Sequence, residues 1–194
     1  MVYRVYVEKK PGFDGKTASL MKELSEVLGV KGLTGIRLLN RYDVEGISED
    51  LFRKAVTSVF SEPPVDDVSY ELGYKDGDRV FAVEYLPGQF DQRADSASEC
   101  IQLISKGERP AVRNARIYVL SGDLTDEDVE KVKHYMINPV EAREADLGTF
   151  DTLETEYDIP PAVEILNGFT DFDDEKLQAF SDEKGLAPSI STRI

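Results

Sequence analysis

A Pro-Gly turn followed by Phe-Asp occurs twice in this chain, and it constrains the fold more than any other feature. The first copy is PGFD at 11–14, and the second is PGQFD at 87–91. Each copy follows a segment of alternating hydrophobicity and precedes a run with helical spacing. The recurrence after 76 to 77 residues predicts two copies of one supersecondary unit.

The segments around each turn predict the order β-α-β-α-β. Val2 to Glu8 alternates and predicts a half-buried strand, with Val5 and Val7 on the face opposite Tyr6. The remaining predicted elements of the first copy are a helix at 17–28 capped by Asp14, a strand at 35–44, a helix at 48–60 capped by Ser48, and a strand at 65–72. Those of the second copy are a strand at 79–86, a helix from Asp91 or Asp95 to Ile104, a strand at 115–120, and a helix at 125–136 capped by Thr125.

The fold class that follows is α+β, with duplicated β-α-β-α-β units and antiparallel sheets. The first domain is predicted at 1–147, with repeat one at 1–74 and repeat two at 78–147. Residues 148–194 form an acidic connector, because Glu141 to Lys184 holds 14 Asp and Glu against 3 Lys and Arg.

The connector is predicted to contain a mobile part and a folded part. Residues 148–161 have turn residues without periodicity, and 148–158 are expected to be mobile. Beyond them we expect a helix that starts at Asp173 or Asp174 and runs through Phe180. Seven large apolar side chains at 163–180 are expected to be covered, either on 1–147 or by a second chain; they are Val163, Ile165, Leu166, Phe169, Phe172, Leu177 and Phe180.

Charge and composition narrow the range of partners. The net charge of −15 argues against nucleic acid, whose recognition needs clustered Lys and Arg. We expect no membrane contact and a cytoplasmic location, since no apolar run approaches 18 residues and 1–10 reads as a strand. The single cysteine excludes an internal disulfide and a cysteine-based zinc site, and it fits a reducing compartment.

Few residues suggest a catalytic or ligand-binding role. His134 is expected on the surface of a charged helix face, and Cys100 is expected in the core beside Ile101 and Ile104. The start of the third helix is more informative, because free backbone amides there could bind an anion with help from Arg93. The alternative is that Asp91 and Asp95 only cap the helix. The candidate anion or interface contacts are Gln89, Asp91, Gln92, Arg93, Asp95 and Ser96.

Several longer segments carry a resemblance to one family. They are LPGQFDQRADSA at 86–97 with ECIQL at 99–103, KGLTGIR at 31–37, LNRYDVEGI at 39–47, FSEPPVD at 60–66 and INPVEAR at 137–143. Together they resemble the N-terminal region of the large single-chain phosphoribosylformylglycinamidine synthase of purine biosynthesis. The resemblance covers residues 1 to about 187, and the last residues, 188–194, depart from it.

The resemblance implies a domain without catalytic residues. In that family the first domain is similar to two fused copies of the small PurS subunit, and it braces the synthetase against the glutaminase and helps form the ammonia path between them. ATP and magnesium belong to the synthetase, so no cofactor or metal ligand is implied for this chain. Cys100 matches no part of the glutaminase motif. The implied partners are the synthetase and glutaminase domains, with self-association as a further option.

Two other hypotheses stay open at this point. One is a free-standing α+β homodimer that binds a small anionic ligand near 91–97. The other is a small enzyme whose carboxylates act without a recognisable motif. A domain that lacks its partner should expose a large apolar patch, whereas a free-standing module should be closed or self-paired.

Overall fold

The computed structural model describes residues 1–154, 165–166 and 168–184, which fall into two compact units, 1–154 and 155–194. The first unit alternates strands and helices. Its elements are β1 Val2–Lys9, α1 Gly15–Glu26, β2 Leu33–Glu45, α2 Glu49–Ala55, β3 Asp66–Ser69, β4 Arg79–Tyr85, α3 Gln92–Ser105, β5 Ala111–Gly122, α4 Asp126–Met136 and β6 Ala142–Ala145. A π-helical turn, Val56–Phe60, continues α2.

The six strands form one antiparallel sheet in the order β3-β1-β2-β5-β4-β6. The longest ladder joins β2 to β5 and runs from Leu33 opposite Gly122 to Glu45 opposite Ala111. This ladder connects the first three strands of the chain to the last three. The α+β fold class expected from the sequence is confirmed.

Side-chain caps explain where three of the helices begin. The Ser48 hydroxyl accepts the amide of Leu51 at α2, and Thr125 and Asp128 form a reciprocal capping box at α4. Asp91 Oδ1 accepts the amides of Arg93 and Ala94 at α3. Asp14 precedes α1 as expected, but its carboxylate accepts only the Gly12 amide and does not cap the helix.

All four helices pack on one face of the sheet and form two apolar clusters. The cluster under α2 and α3 comprises Val5, Val7, Tyr42, Val44, Phe52, Ala55, Val56, Phe60, Ala97 and Ile101. The cluster under α1 and α4 comprises Leu24, Val30, Leu33, Ile36, Phe81, Tyr118, Leu120 and Val132. The middle of the sheet, where Asn40 lies opposite Arg116, separates the two clusters.

The other sheet face is also buried, which corrects the expectation of a half-buried first strand. Tyr6 is only 4% exposed, like Val7 beside it on the helix-covered face. The connection from β3 to β4 contributes to this burial, because Leu72 packs against the cluster and Gly73 accepts a hydrogen bond from Arg37 at 2.6 Å. This third cluster comprises Tyr6, Leu39, Ala82, Ala115, Ile117, Val119 and Ala145.

Residues 146–154 bind to this second face, contrary to the prediction that the connector is mobile from 148. The carbonyl groups of Asp146, Leu147 and Leu153 accept hydrogen bonds from arginines of β2, β1 and β5. Leu153 is buried, and its amide donates to Glu45 Oε2 at 2.7 Å. The rest of the predicted mobile stretch, 155–158, lies outside the described residues.

In the second unit, a 3-10 turn at Phe169–Asp171 precedes helix α5, Asp174–Glu183. Asp173 caps α5 through the Lys176 amide, as the sequence predicted, although the helix continues past Phe180. Phe169, Phe172 and Phe180 pack against one another with ring centroids 5.2 to 6.4 Å apart. Ile165 is 77% exposed, contrary to expectation, and Val163 lies outside the described residues. The docking of 163–180 on 1–147 or on a second chain stays a prediction.

Candidate functional site

A cleft of about 480 Å³ lies on the helix-covered face, between α3 and the sheet. Its walls come from β2, β4, β5, α3 and the π-helical turn after α2. The lining residues are Tyr42, Val59, Tyr85, Asp91, Gln92, Arg93, Ser96, Ala97, Cys100, Asn114 and Arg116. The cleft is therefore built mainly from uncharged polar groups, aromatic rings and two arginines.

The Pro-Gly turn sets the direction of α3 along this cleft. The backbone amide of Gln89 donates a hydrogen bond to the carbonyl of Leu86 at 3.0 Å. Gly88 has a φ of +88°, a backbone conformation that residues other than glycine rarely adopt. Asp91 then uses Oδ1 to accept the amides of Arg93 at 2.9 Å and Ala94 at 3.0 Å. These amides are thus engaged by the chain itself, so they do not form the anion site expected at the helix N-terminus.

The structure brings four of the six sequence candidates together. Asp91, Gln92, Arg93 and Ser96 line the cleft. Gln89 does not line it and is exposed in the turn.

Asp95, the remaining candidate, also lies off the cleft and has a structural role. Its Oδ1 accepts a hydrogen bond from Arg109 Nη2 at 2.6 Å, and its carbonyl accepts a second one from the same nitrogen at 3.0 Å. Arg109 also donates to Ser98. Asp95 therefore fastens α3 to the segment that leads into β5.

The sequence interpretation missed Asn114 and Arg116, which β5 places on the cleft side of the sheet. Both share that side with the buried Tyr118, because alternate residues of a strand point to the same face. Polar residues at two successive inward positions of an apolar strand are the signal that could have revealed them. Asn114 donates to the Arg41 carbonyl at 2.9 Å, which fixes the orientation of its amide.

The two arginines of the cleft differ from most others in the described chain because neither pairs with a carboxylate. Arg93 Nη1 donates to the Tyr42 hydroxyl at 3.1 Å. Within the described residues Arg116 makes no hydrogen bond or ion pair. Arginines that do pair with Asp or Glu are Arg4, Arg37, Arg41, Arg53, Arg79, Arg109 and Arg143.

Arg93 and Arg116 also line a second cleft, of about 590 Å³, that reaches the first Pro-Gly turn. Pro11, Phe13 and Lys16 form its rim there. This cleft has carboxylates of both β1 and β3 in its walls, so its charge is mixed. Arg93 and Arg116, two arginines without carboxylate partners among the described residues, are the residues that both clefts share.

Cys100 is exposed and lines the first cleft, which corrects its expected place in the core. The buried stripe of α3 consists of Ala94, Ala97, Ser98 and Ile101. Neighbouring helix positions are about 100° apart, so a cysteine directly before Ile101 points away from that stripe. His134 is exposed on α4, as predicted.

A second cluster of charged groups lies on the other sheet face, around Asp43. Burial lowers the pKa of Arg41. Burial also acts to lower the pKa of Arg4, but the hydrogen bond and charge of Asp43, together with Tyr6, outweigh it and hold that pKa above its ordinary value. The three guanidinium groups of Arg4, Arg41 and Arg113 surround the Phe150 ring at 5.2 to 5.7 Å. The cluster holds the 146–154 segment in place and has a structural role.

The donors of the first cleft suit the binding of an anion. Two guanidinium groups, the hydroxyls of Ser96 and Tyr85, and the amide of Gln92 offer hydrogen bonds to an anion. The carboxylate in the wall, Asp91, is engaged in capping α3. Among the described residues there is no group of three or more His, Cys, Asp or Glu arranged to hold a metal ion.

Comparisons with known proteins assign the chain to no family. No protein-family model matches the chain, and no curated protein is significantly similar to it. Within the part of the chain that the structure describes, none of the helices is both long and apolar enough to cross a membrane.

Proposed function

We propose that this chain is a non-catalytic, PurS-like N-terminal domain of a phosphoribosylformylglycinamidine synthase. In that role it braces the synthetase against the glutaminase during the ATP- and glutamine-dependent amidation step of purine biosynthesis. The sequence segments that resemble this family are the basis of the proposal. The geometry of the first unit supports it in two ways.

The symmetry of the strand order is the first support, because an internal duplication would produce it. Exchanging β1 with β4, β2 with β5 and β3 with β6 turns the sheet order β3-β1-β2-β5-β4-β6 into its own reverse. The helices follow the same exchange, because α1 and α3 each come after the first strand of their half and α2 and α4 after the second. Two similar halves related by a pseudo-two-fold axis near the β2–β5 ladder account for this order.

The two Pro-Gly turns are the second support for the proposal. Gly12 and Gly88 have φ angles of +91° and +88°, and each precedes the first helix of its half. Phe13 and Phe90 follow them and are 59% and 70% exposed. Leaving two large aromatic side chains in water at corresponding positions forgoes burial worth roughly 1.5 to 3 kcal/mol each, which a partner could recover. We assign these two residues as contacts to the synthetase.

The cleft beside α3 also bears on the proposal. It has donors for an anion, and none of its described residues is a nucleophile hydrogen-bonded to a base. The exposed Cys100 has no hydrogen-bond partner among the described residues that could act as its base. That the chain is inactive on its own is a prediction, which the activity measurement below tests.

Assembly in trans tests the proposal. The chain would be mixed with a phosphoribosylformylglycinamidine synthase from which the N-terminal domain has been removed, and glutamine-dependent ADP release would be measured. We expect the chain alone to be inactive and the mixture to regain activity. Sedimentation of the mixture should show a complex that neither part forms alone.

A matched set of surface variants makes the test specific. Phe13→Ser and Phe90→Ser should each weaken the complex at least about tenfold, because each removes an aromatic contact that the proposed interface buries. Tyr74→Ser is the control, since Tyr74 is also 59% exposed but lies in the connection from β3 to β4. Turnover by the purified chain alone would contradict the proposal. A stable homodimer that does not bind the truncated synthase would favour a free-standing module instead.

A further inference from the structure

We propose that the cleft between α3 and the sheet binds a small organic phosphate monoester through Arg93 and Arg116. This inference goes beyond the bracing role and does not depend on it. It rests on the shape of the cleft, on two guanidinium groups without carboxylate partners, and on the neutral donors beside them.

The positive charge of the cleft is unusual for this chain. The protein carries a net charge of −15, and most of the described arginines are neutralised by Asp or Glu. Arg93 and Arg116 come from different elements, α3 and β5, yet both line this cleft. Neither guanidinium group pairs with a carboxylate among the described residues, so the repulsion between these like charges is relieved when an anion binds in the cleft.

The type of anion follows from the charge and geometry of the donors. A phosphate monoester carries about −1.5 to −2 at pH 7 and matches two guanidinium groups, whereas a carboxylate carries only one negative charge. The planar guanidinium fork binds phosphate oxygens in pairs. Ser96 and Gln92 on the first turns of α3 can complete the set of donors, since neither side chain has a hydrogen-bond partner within the described residues.

The rest of the cleft fits an organic group attached to the phosphate. A volume of about 480 Å³ falls in the range of small-molecule sites. Tyr85, Tyr42 and Val59 provide aromatic and apolar walls. The Tyr42 hydroxyl accepts from Arg93, which holds one guanidinium group against the wall before a ligand enters.

Cys100 provides a direct readout because it lines the cleft and is the single cysteine of the chain. Phenyl phosphate is a suitable probe, and phenyl sulfate and benzoate are its monoanionic counterparts. The full chain would be titrated with each compound by calorimetry at low salt. The rate of Cys100 modification by N-ethylmaleimide would be measured at the same concentrations.

We expect saturable binding of phenyl phosphate, with slower modification of Cys100, and at least about tenfold weaker binding of the two monoanions. Arg116→Gln should weaken binding of phenyl phosphate at least about tenfold, since one charge-assisted pair of hydrogen bonds is lost. Arg116→Lys should keep part of the affinity. Arg93→Gln should give a loss similar to that of Arg116→Gln.

Arg53→Gln is the matched control, because it removes the same charge from an exposed arginine on α2 that does not line the cleft. Its affinity and its Cys100 protection should equal those of the unmodified chain. Absence of saturable binding, equal affinity for the three probes, or equal losses for Arg53→Gln and Arg116→Gln would each overturn the proposal.

Discussion

Arg41 and Asp43 lie two positions apart on β2, both fully buried, with Arg41 Nε 2.9 Å from Asp43 Oδ2. Asp43 also accepts a hydrogen bond from Arg4 Nε across the ladder to β1. One buried carboxylate therefore serves two guanidinium groups. Arg41 and Asp43 are within ion-pair distance but are not aligned as a hydrogen bond. Asp43 therefore acts on Arg41 mainly through its charge.

Asp43→Asn should lower the free energy of unfolding by about 3 kcal/mol, because it leaves the buried guanidinium group of Arg41 and the partly buried one of Arg4 without a negative partner. Urea denaturation followed by circular dichroism measures the change. Asp67→Asn, on the exposed edge of β3, should change the stability by less than about 0.5 kcal/mol. Equal effects of the two substitutions would contradict a role for the buried carboxylate.

Phe150→Leu should destabilise the packing of 146–154. The substitution keeps an apolar side chain but removes the aromatic ring that the guanidinium groups of Arg4, Arg41 and Arg113 surround. The expected loss is about 1 to 2 kcal/mol, with faster proteolytic cleavage near residue 150. Phe90→Leu, at an exposed aromatic residue, is the control and should leave both measurements unchanged. Rapid cleavage at 148–154 in the unmodified chain would show that this segment is loose.

The capping box of α4 should make stability depend on acid pH. Hydrogen bonds from the Thr125 hydroxyl and then from its backbone amide hold the pKa of Asp128 below its ordinary value. A carboxylate whose pKa is lower in the folded state than in the unfolded state stabilises the fold. This stabilisation is complete above about pH 4 and is lost as the pH falls through the folded-state pKa. Asp128→Ala should therefore be less stable than the unmodified chain at pH 7, and the difference should shrink at pH 3.

Glu127→Ala tests whether this effect belongs to the capping box. Glu127 is in the same first turn of α4, where any carboxylate interacts favourably with the helix dipole. If its substitution produced the same loss of pH dependence as Asp128→Ala, the effect would come from the dipole and not from the hydrogen bonds.

The corresponding caps of α2 and α4 should have similar energies if the two halves are duplicates. Ser48→Ala and Thr125→Ala each remove a hydroxyl that accepts one helix amide, so each should cost about 1 kcal/mol. Ser19→Ala is the control, because Ser19 is exposed within α1 and its hydroxyl has no hydrogen-bond partner among the described residues. A negligible effect at one cap and a large effect at the other would argue against equivalent helix starts.

Much of the first unit could be predicted because local signals dominate there. Alternating strands, hydroxyl caps and Pro-Gly turns identified every helix of this unit, and the boundaries differ by only a few residues. Ser48, Thr125 and Asp91 act at helix starts as their positions suggested. These features depend on residues within one turn of each other, and such interactions can be recognised from sequence.

Long-range partners explain what could not be predicted. The role of Arg41 and Asp43 depends on the 146–154 segment, which covers their face of the sheet and lies more than 100 residues later in the chain. The polar position of Arg116 on an apolar strand was a local signal, but its place beside Arg93, which lies on another element, is visible only in the fold. The position of Cys100 could have been predicted, since it is adjacent to a buried position of the same helix.

The lengths of the outer strands affect how this protein can join others. Both edges of the sheet, β3 and β6, are only four residues long, and they include Asp66, Asp67, Arg143 and Glu144. Short charged edges offer few free amides and carbonyls to a neighbouring strand. Sheet-to-sheet polymerisation is thereby discouraged, and an assembling partner must recognise side chains of turns and helices instead of extending the backbone ladder.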